Sequence, residues 1–275
     1  MMLPPITARE TAAELVSDVL QAFVELATNT IRDAGVFRVS LSGGSTPQRL
    51  YREIAKADLD FSKIEWYWGD ERNVPHDHAD SNFRMVKEAL LDPAGIAERN
   101  VFPVPVRVDD PAAAANAYQA TLRQNFGTAV NRFEVPPAEG VSVAATGGGE
   151  VGVHGDRTPG EAIESETFPA WDLVLLGMGD DAHTASLFPD TAALEVCDAW
   201  FVENWVDKFA AYRYTLTVPA INAGREIWFL ITGAGKREAL AKVLGSDRQP
   251  LRYPAQLIRP TRYFVTTDAL ESGEK

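Results

Sequence analysis

The residues best suited to chemistry lie in the stretch Trp171–Pro189, which reads WDLVLLGMGDDAHTASLFP. His183 stands two residues after Asp181, directly behind Gly177-Met178-Gly179. An imidazole with an unperturbed pKa of ~6.5 suits a general base near neutral pH, and a nearby carboxylate fixes its tautomer and raises its basicity. The plainer alternative is a turn histidine satisfied by its neighbours. Ser186 falls one helical turn after His183, but nothing beside it activates a serine, so it reads as a capping or packing residue.

A second group of residues suits an anion. Ser42-Gly43-Gly44-Ser45-Thr46-Pro47 follows an apolar run and precedes a helical pattern. Gly43 and Gly44 let backbone amides approach a ligand, Ser45 and Thr46 add hydroxyl donors, and Pro47 reads as the first helical position. This is a phosphate cradle or, more simply, a βα turn with a Ser/Thr cap. It is not a Walker A loop, because no Lys-Ser/Thr follows at the required spacing. Trp68-Gly69-Asp70-Glu71-Arg72-Asn73-Val74-Pro75 places Arg72 beside two carboxylates, as a solvated ion pair or as a ligand-facing cation. Arg213 and Lys236, the latter in Thr232-Gly233-Ala234-Gly235-Lys236, are further basic partners for an anion or else surface charges.

Other motifs fail on context. Gly177–Ala182 matches G-x-G-x-x-G/A, but Pro189 arrives too soon for a crossover helix and no acid closes a second strand ~20 residues on. No G-x-S-x-G occurs, which disfavours an esterase elbow. His76-Asp77-His78-Ala79-Asp80 reads as a polar loop before a helix cap rather than a metal site.

These turns must be held by a scaffold. Thr7-Ala8-Arg9-Glu10 matches a capping box and predicts a long helix with Leu15, Val19, Phe23 and Leu26 inward, stopping near Gly35. Strands are expected at Phe37–Leu41, Ile64–Trp68, Asn100–Val104, Leu173–Leu176, Arg213–Val218, Glu226–Thr232 and Arg262–Thr266. Helices are expected from Pro47, from Asn82, from Asp110-Pro111 towards Phe126, and over Lys236–Leu244. The alternation predicts an α/β domain, with a mostly parallel sheet covered on both faces and ligands beyond the strands' carboxyl ends. Pro136–Phe168 breaks the rhythm with Gly147-Gly148-Gly149 and no periodicity. It is read as a surface-loop insertion at 136–168 in a single domain of residues 1–275.

Composition narrows the class. The 275 residues are 45% hydrophobic and 24% charged, as in a soluble globular protein. A net charge of −13 argues against a nucleic-acid partner and against an anionic membrane, so an anionic substrate needs a local basic pocket. The only cysteine, Cys197, excludes an intrachain disulfide and fits a reducing cytoplasm. The opening MMLPPITARE lacks the basic head and apolar core of a secretory leader, and no apolar run reaches the ~20 residues of a membrane span.

In this order, the motifs resemble those of the 6-phosphogluconolactonases in the glucosamine-6-phosphate isomerase/6-phosphogluconolactonase family. The carriers are Ser42–Pro47, Gly69–Pro75 with Ser81-Asn82, Leu175–Pro189, Arg213–Thr217 and Gly233–Lys236. Two positions depart from that pattern: Ala182 and Asp190 stand where glycines are usual. The resemblance implies a three-layer α/β/α, Rossmann-like fold and hydrolysis of 6-phospho-D-glucono-1,5-lactone in the oxidative pentose phosphate pathway. It implies no metal and no organic cofactor. Its partner is a small phosphorylated sugar lactone, bound by a cytoplasmic monomer or small homo-oligomer. Under it, Gly43, Gly44, Ser45, Thr46, Arg213 and Lys236 hold the phosphate, and His183, oriented by Asp181, activates water. Arg72 serves the oxyanion or the phosphate. The rivals are glucosamine-6-phosphate deaminase or isomerase chemistry, disfavoured because Leu187-Phe188 rather than a glutamate precede Pro189, and a sugar-phosphate-binding regulator without catalysis.

Overall fold

The computed structural model describes residues 3–132 and 167–270. The strands are β1 (Ile6–Arg9), β2 (Phe37–Leu41), β3 (Ile64–Trp68), β4 (Asp70–Arg72), β5 (Val101–Phe102), β6 (Val130–Arg132), β7 (Thr167–Pro169), β8 (Leu173–Leu176), β9 (Phe201–Val206), β10 (Ala211–Leu216), β11 (Glu226–Ile231) and β12 (Arg262–Thr266). The helices are α1 (Ala12–Ala34), α2 (Ser45–Ile54), α3 (Asn82–Val86), α4 (Pro111–Phe126), α5 (Val218–Asn222), α6 (Arg237–Leu244) and α7 (Thr267–Leu270); a π-helical turn, Lys87–Leu91, continues α3.

Seven parallel strands form the central sheet in the order β1-β12-β11-β8-β2-β3-β5, flanked by helices. Parallel strands covered on both faces must be apolar throughout. β8, Leu-Val-Leu-Leu, is buried along its whole length, and Trp66, Trp68 and Trp228 fill the layers beside it. From β2 the chain proceeds outward to β3 and β5; from β8 it proceeds the other way, to β11 and β12. The order therefore reverses between β2 and β8, and the turns leaving these two strands flank the crevice where open α/β sheets bind ligands.

A smaller antiparallel sheet, β4-β10-β9, stands over one end of this crevice. β10 pairs Arg213 with Arg72, Tyr214 with Glu71 and Thr215 with Asp70. The 213–218 stretch is thus not a strand of the main sheet, and alternating Tyr-Thr-Leu-Thr already suits an antiparallel partner better than a doubly buried parallel strand. A third pair, β6 with β7, closes the stretch around the undescribed residues 133–166. Residues 136–166 of the expected insertion lie outside the described residues. Its last residue, Phe168, belongs instead to β7 and is fully buried.

Two helix starts differ from the sequence expectation. Ile6–Arg9 forms β1 beside β12, so α1 begins one turn later with a complete capping box of Thr11 and Glu14. Thr7-x-x-Glu10 and Thr11-x-x-Glu14 have the same pattern, and the long-range pairing to β12 selects the second. α2 begins at Ser45, which puts Pro47 third rather than first; its missing N–H costs nothing there either. No described helix is long and apolar enough to cross a membrane.

Candidate active site

The turns after β2, β8 and β11, together with strand β4, surround one cavity of about 240 Å³. Its wall includes Gly43, Gly44, Ser45, Thr46, Asp70, Arg72, Gly179, His183 and Lys236. Eight of the nine residues expected at a phosphate and base site therefore lie at or beside this cavity wall, Asp181 holding His183 from behind. Arg213 is the exception: its backbone pairs with that of Arg72 and its guanidinium lies 5.0 Å over the Phe209 ring. Burial, and then the charge of Arg72, hold the Arg213 guanidinium below its ordinary value.

The β2 turn is shaped from below by a tyrosine. The buried Tyr51 hydroxyl accepts from Ser42 N–H at 2.9 Å and donates to Ser42 O at 2.8 Å. Gly44, at φ +104°, turns the chain into α2 and has no side chain to cap it. The first amides of α2 are left for another acceptor, where the helix dipole favours an anion. The hydroxyls of Thr46 and Thr232 meet at 2.6 Å and join this turn to the one leaving β11. There Gly233, at φ +94°, donates its N–H to Thr266 Oγ1 at 2.9 Å and carries the chain to Lys236.

The β4 turn is held by two buried acids. Glu71 accepts from the N–H groups of Arg72, Asn82 and Phe83 at 2.7–2.8 Å and from Ser81 Oγ at 3.2 Å. Burial pushes its carboxyl up, and the backbone donors oppose that rise. Glu71 is therefore the anchor of α3's first turn, and it meets Arg72 through the backbone N–H while the guanidinium turns to Asp80. Arg72 reaches the Asp80 carbonyl at 2.6 Å, and Asp70 accepts from Ser186 Oγ at 3.1 Å, which fixes Ser186 as a packing residue. Asn82 donates to the Asp70 carbonyl, and its Oδ1 fills the space where a Cβ on Gly43 would be. Gly43 is thus required by close approach.

The β8 turn carries His183. His183 Nδ1 lies 2.5 Å from Asp181 Oδ1, and the same oxygen accepts the His183 backbone N–H at 3.2 Å. The imidazole stacks on Phe188 with ring centres 4.0 Å apart. Lys208, between β9 and β10, donates to Asp181 Oδ2 at 3.0 Å. Burial alone would raise the Asp181 carboxyl; its bonds to His183 and Lys208 outweigh this and hold it well below the usual carboxylate range. Ala182, fully buried, has φ +62°, and Asp190 has φ +57°. Both positions that depart from the glycine pattern are left-handed, so each side chain adds strain of about 1 kcal/mol.

Sequence spacing does not single out Lys208, Asp70 or Thr232. Lys208 in particular reaches the site only through the β4-β10-β9 pairing. Among the described residues, no three His, Cys, Asp or Glu side chains are grouped to hold a metal ion. His76 instead bonds the Val104 carbonyl at 2.8 Å and packs against Phe83.

A family model described as glucosamine-6-phosphate isomerases/6-phosphogluconolactonase matches residues 10–267. A 6-phosphogluconolactonase of Synechocystis is 36% identical over 90% of this chain and 88% of its own. One of Nostoc is 40% identical over 84% and 80%. Among solved structures, a 6-phosphogluconolactonase from Trypanosoma cruzi superposes with a TM-score of 0.77 at 25% identity, covering 99% of this chain and 98% of that one. By the extent of these matches, the chain belongs to the glucosamine-6-phosphate isomerase/6-phosphogluconolactonase family.

Proposed function

We propose that this protein hydrolyses 6-phospho-D-glucono-1,5-lactone to 6-phospho-D-gluconate, with His183 as general base. It works in the cytoplasm as a monomer or small homo-oligomer. The observation that carries the reading is the His183–Asp181 pair on the wall of a cavity that also holds an uncapped, glycine-led helix start and two basic side chains. The relatives named above supply the substrate class.

The first turn of α2, Thr46, Thr232, Lys236 and Arg72 receive the phosphate or, in the case of Arg72, the developing oxyanion. Asp181 accepts a hydrogen bond from Nδ1–H, which leaves the lone pair of the imidazole on Nε2. Water gives a proton to Nε2 as its oxygen attacks C1, and the carbonyl electrons move onto the exocyclic oxygen. When the tetrahedral species collapses, the bond from C1 to the ring oxygen breaks and that oxygen takes the proton back from Nε2. One water is consumed, and His183 and Asp181 end as they began. Asp181 stays ionised throughout and stabilises the imidazolium between the two transfers.

General base catalysis typically contributes 10²–10⁴-fold, so His183→Asn is expected to lose roughly that factor in kcat. The assay uses freshly generated lactone with spontaneous opening subtracted, and glucosamine 6-phosphate as control. A variant with near-full kcat would remove His183 from this role. Ammonia release from the control would replace the reaction itself.

A further inference from the structure

The tip of the β9–β10 hairpin touches Asp181 directly and reaches His183 through Phe188, from outside the turns that form the cavity. Lys208 Nζ lies 3.0 Å from Asp181 Oδ2 and 3.8 Å from Asp180 Oδ1. Phe209 meets Phe188 edge to face at 5.6 Å, and Phe188 stacks on the imidazole. The Arg213 guanidinium lies 5.0 Å over the Phe209 ring. Ala210, at φ +45°, makes the tight return that puts Lys208 and Phe209 side by side.

We propose that Lys208 is a positioning residue for this pair: it holds the second oxygen of Asp181 so that the first stays on Nδ1, and it competes with the imidazole for the same negative charge. This rests on His183 being the base. A carboxylate shared between two cations stabilises each less than it would alone. Lys208 therefore draws on the charge that an imidazolium would otherwise have to itself, while fixing the carboxylate that orients the ring. The other charged groups around the pair are Asp180 on the same turn, Asp70 and Arg72 from β4, and Lys236 from the β11 turn. None of these is bonded to Asp181 among the described contacts, so Lys208 is the one cation that acts through it. Its side chain is half exposed, so its removal does not disturb a core.

The test is an NMR pH titration of the His183 ring in the full chain, assigned by the signal lost in His183→Asn. Wild type is compared with Lys208→Met, which keeps the apolar stem, and with Lys208→Arg, which keeps the charge. Losing one half-exposed charge beyond a shared carboxylate is expected to raise the His183 midpoint by roughly half a pH unit. Lys208→Arg is expected to restore it. The acid limb of kcat/KM for the lactone is expected to move upward by the same amount in Lys208→Met. An unmoved or lowered His183 midpoint in Lys208→Met overturns the proposal. A midpoint that moves while the limb stays supports the hold of Lys208 on the pair and removes His183 as the base, so the two readings fail separately.

Discussion

Gly179 gives His183 its place. A Cβ at residue 179 would lie 2.0 Å from His183 Nδ1 and 2.6 Å from Asp181 Oδ1, and the Gly179 N–H is bonded to the His183 carbonyl at 2.8 Å. The ring is therefore packed against bare backbone. Gly179→Ala is expected to push the partly exposed imidazole off Asp181 while leaving the fold standing. Its kcat should fall within about tenfold of His183→Asn, whose loss is ~10²–10⁴. The double variant should be no worse than either single one, because both remove the same interaction. Circular dichroism and kinetics on the three variants decide it; a near-wild-type rate in Gly179→Ala would contradict this packing.

Three residues after Gly179, a methyl group occupies a position better suited to glycine. Ala182 has φ +62°, is fully buried, and its carbonyl accepts from Ala255 N–H at 3.0 Å. Ala182→Gly relieves about 1–2 kcal/mol of left-handed strain. It gives up ~0.8 kcal/mol of methyl burial and about 0.4–1 kcal/mol of chain entropy. These terms nearly cancel, so the melting temperature is expected to move by less than about 3 °C, with activity unchanged. Ala182→Val adds a β-branched side chain in the same conformation and should cost several kcal/mol, about 3 or more, by strain and overpacking together. Thermal melts of the pair check both signs. Equal melting temperatures for the two variants would show that the left-handed backbone does not govern this turn.

How much of this was legible in the sequence depends on whether the deciding contact is local. β2, β3, β8, β11 and β12 stand where the apolar runs put them, because a strand buried on both faces carries its own signal. The turns after β2 and β8 were legible for the same reason, and the reversal of strand order makes them neighbours. α1 was misplaced by one turn because Thr7 and Thr11 head equally good capping boxes, and only the pairing of Ile6–Arg9 with β12 separates them. Arg213 shows the same limit. Its charge suggests the phosphate, and its place directly opposite Arg72, outside the residues that line the cavity, comes from a long-range register that the local sequence does not carry. Lys208 carries no local signal at all, since a lysine in a hairpin is usually a solvated charge.

Asp181 gives the site a dependence on pH with a definite sign. Its folded carboxyl is held below the ordinary range, mainly by His183 and Lys208 against the effect of burial. A depressed carboxyl contributes stability that is present above the unfolded value of ~3.9 and is lost as pH falls through the folded value. Wild type should therefore be more stable than Asp181→Asn near neutral pH, and the gap should narrow below about pH 4. Urea denaturation of both proteins at several pH values between neutral and acid measures it; a gap that widens on acidification would reverse the sign. Asp181→Asn should also lose activity by roughly the factor of His183→Asn, because an amide N–H facing Nδ1 stabilises the tautomer protonated on Nε2.

Under the proposed function, Lys236 is expected to separate recognition of the phosphate from chemistry at the lactone. It lines the cavity beside the uncapped start of α2, on the turn bound to that start through Thr46 and Thr232. A hydrogen bond to a charged group contributes about 1.5–3 kcal/mol. Lys236→Ala is thus expected to raise KM for 6-phosphogluconolactone by roughly 10- to 100-fold with kcat little changed. The same variant should hydrolyse unphosphorylated gluconolactone as wild type does, because that substrate has no phosphate to lose. Steady-state kinetics on both lactones read the difference directly. Equal losses on the two would place Lys236 at the reacting carbonyl instead, and the phosphate would then depend on the start of α2, Thr232 and Arg72.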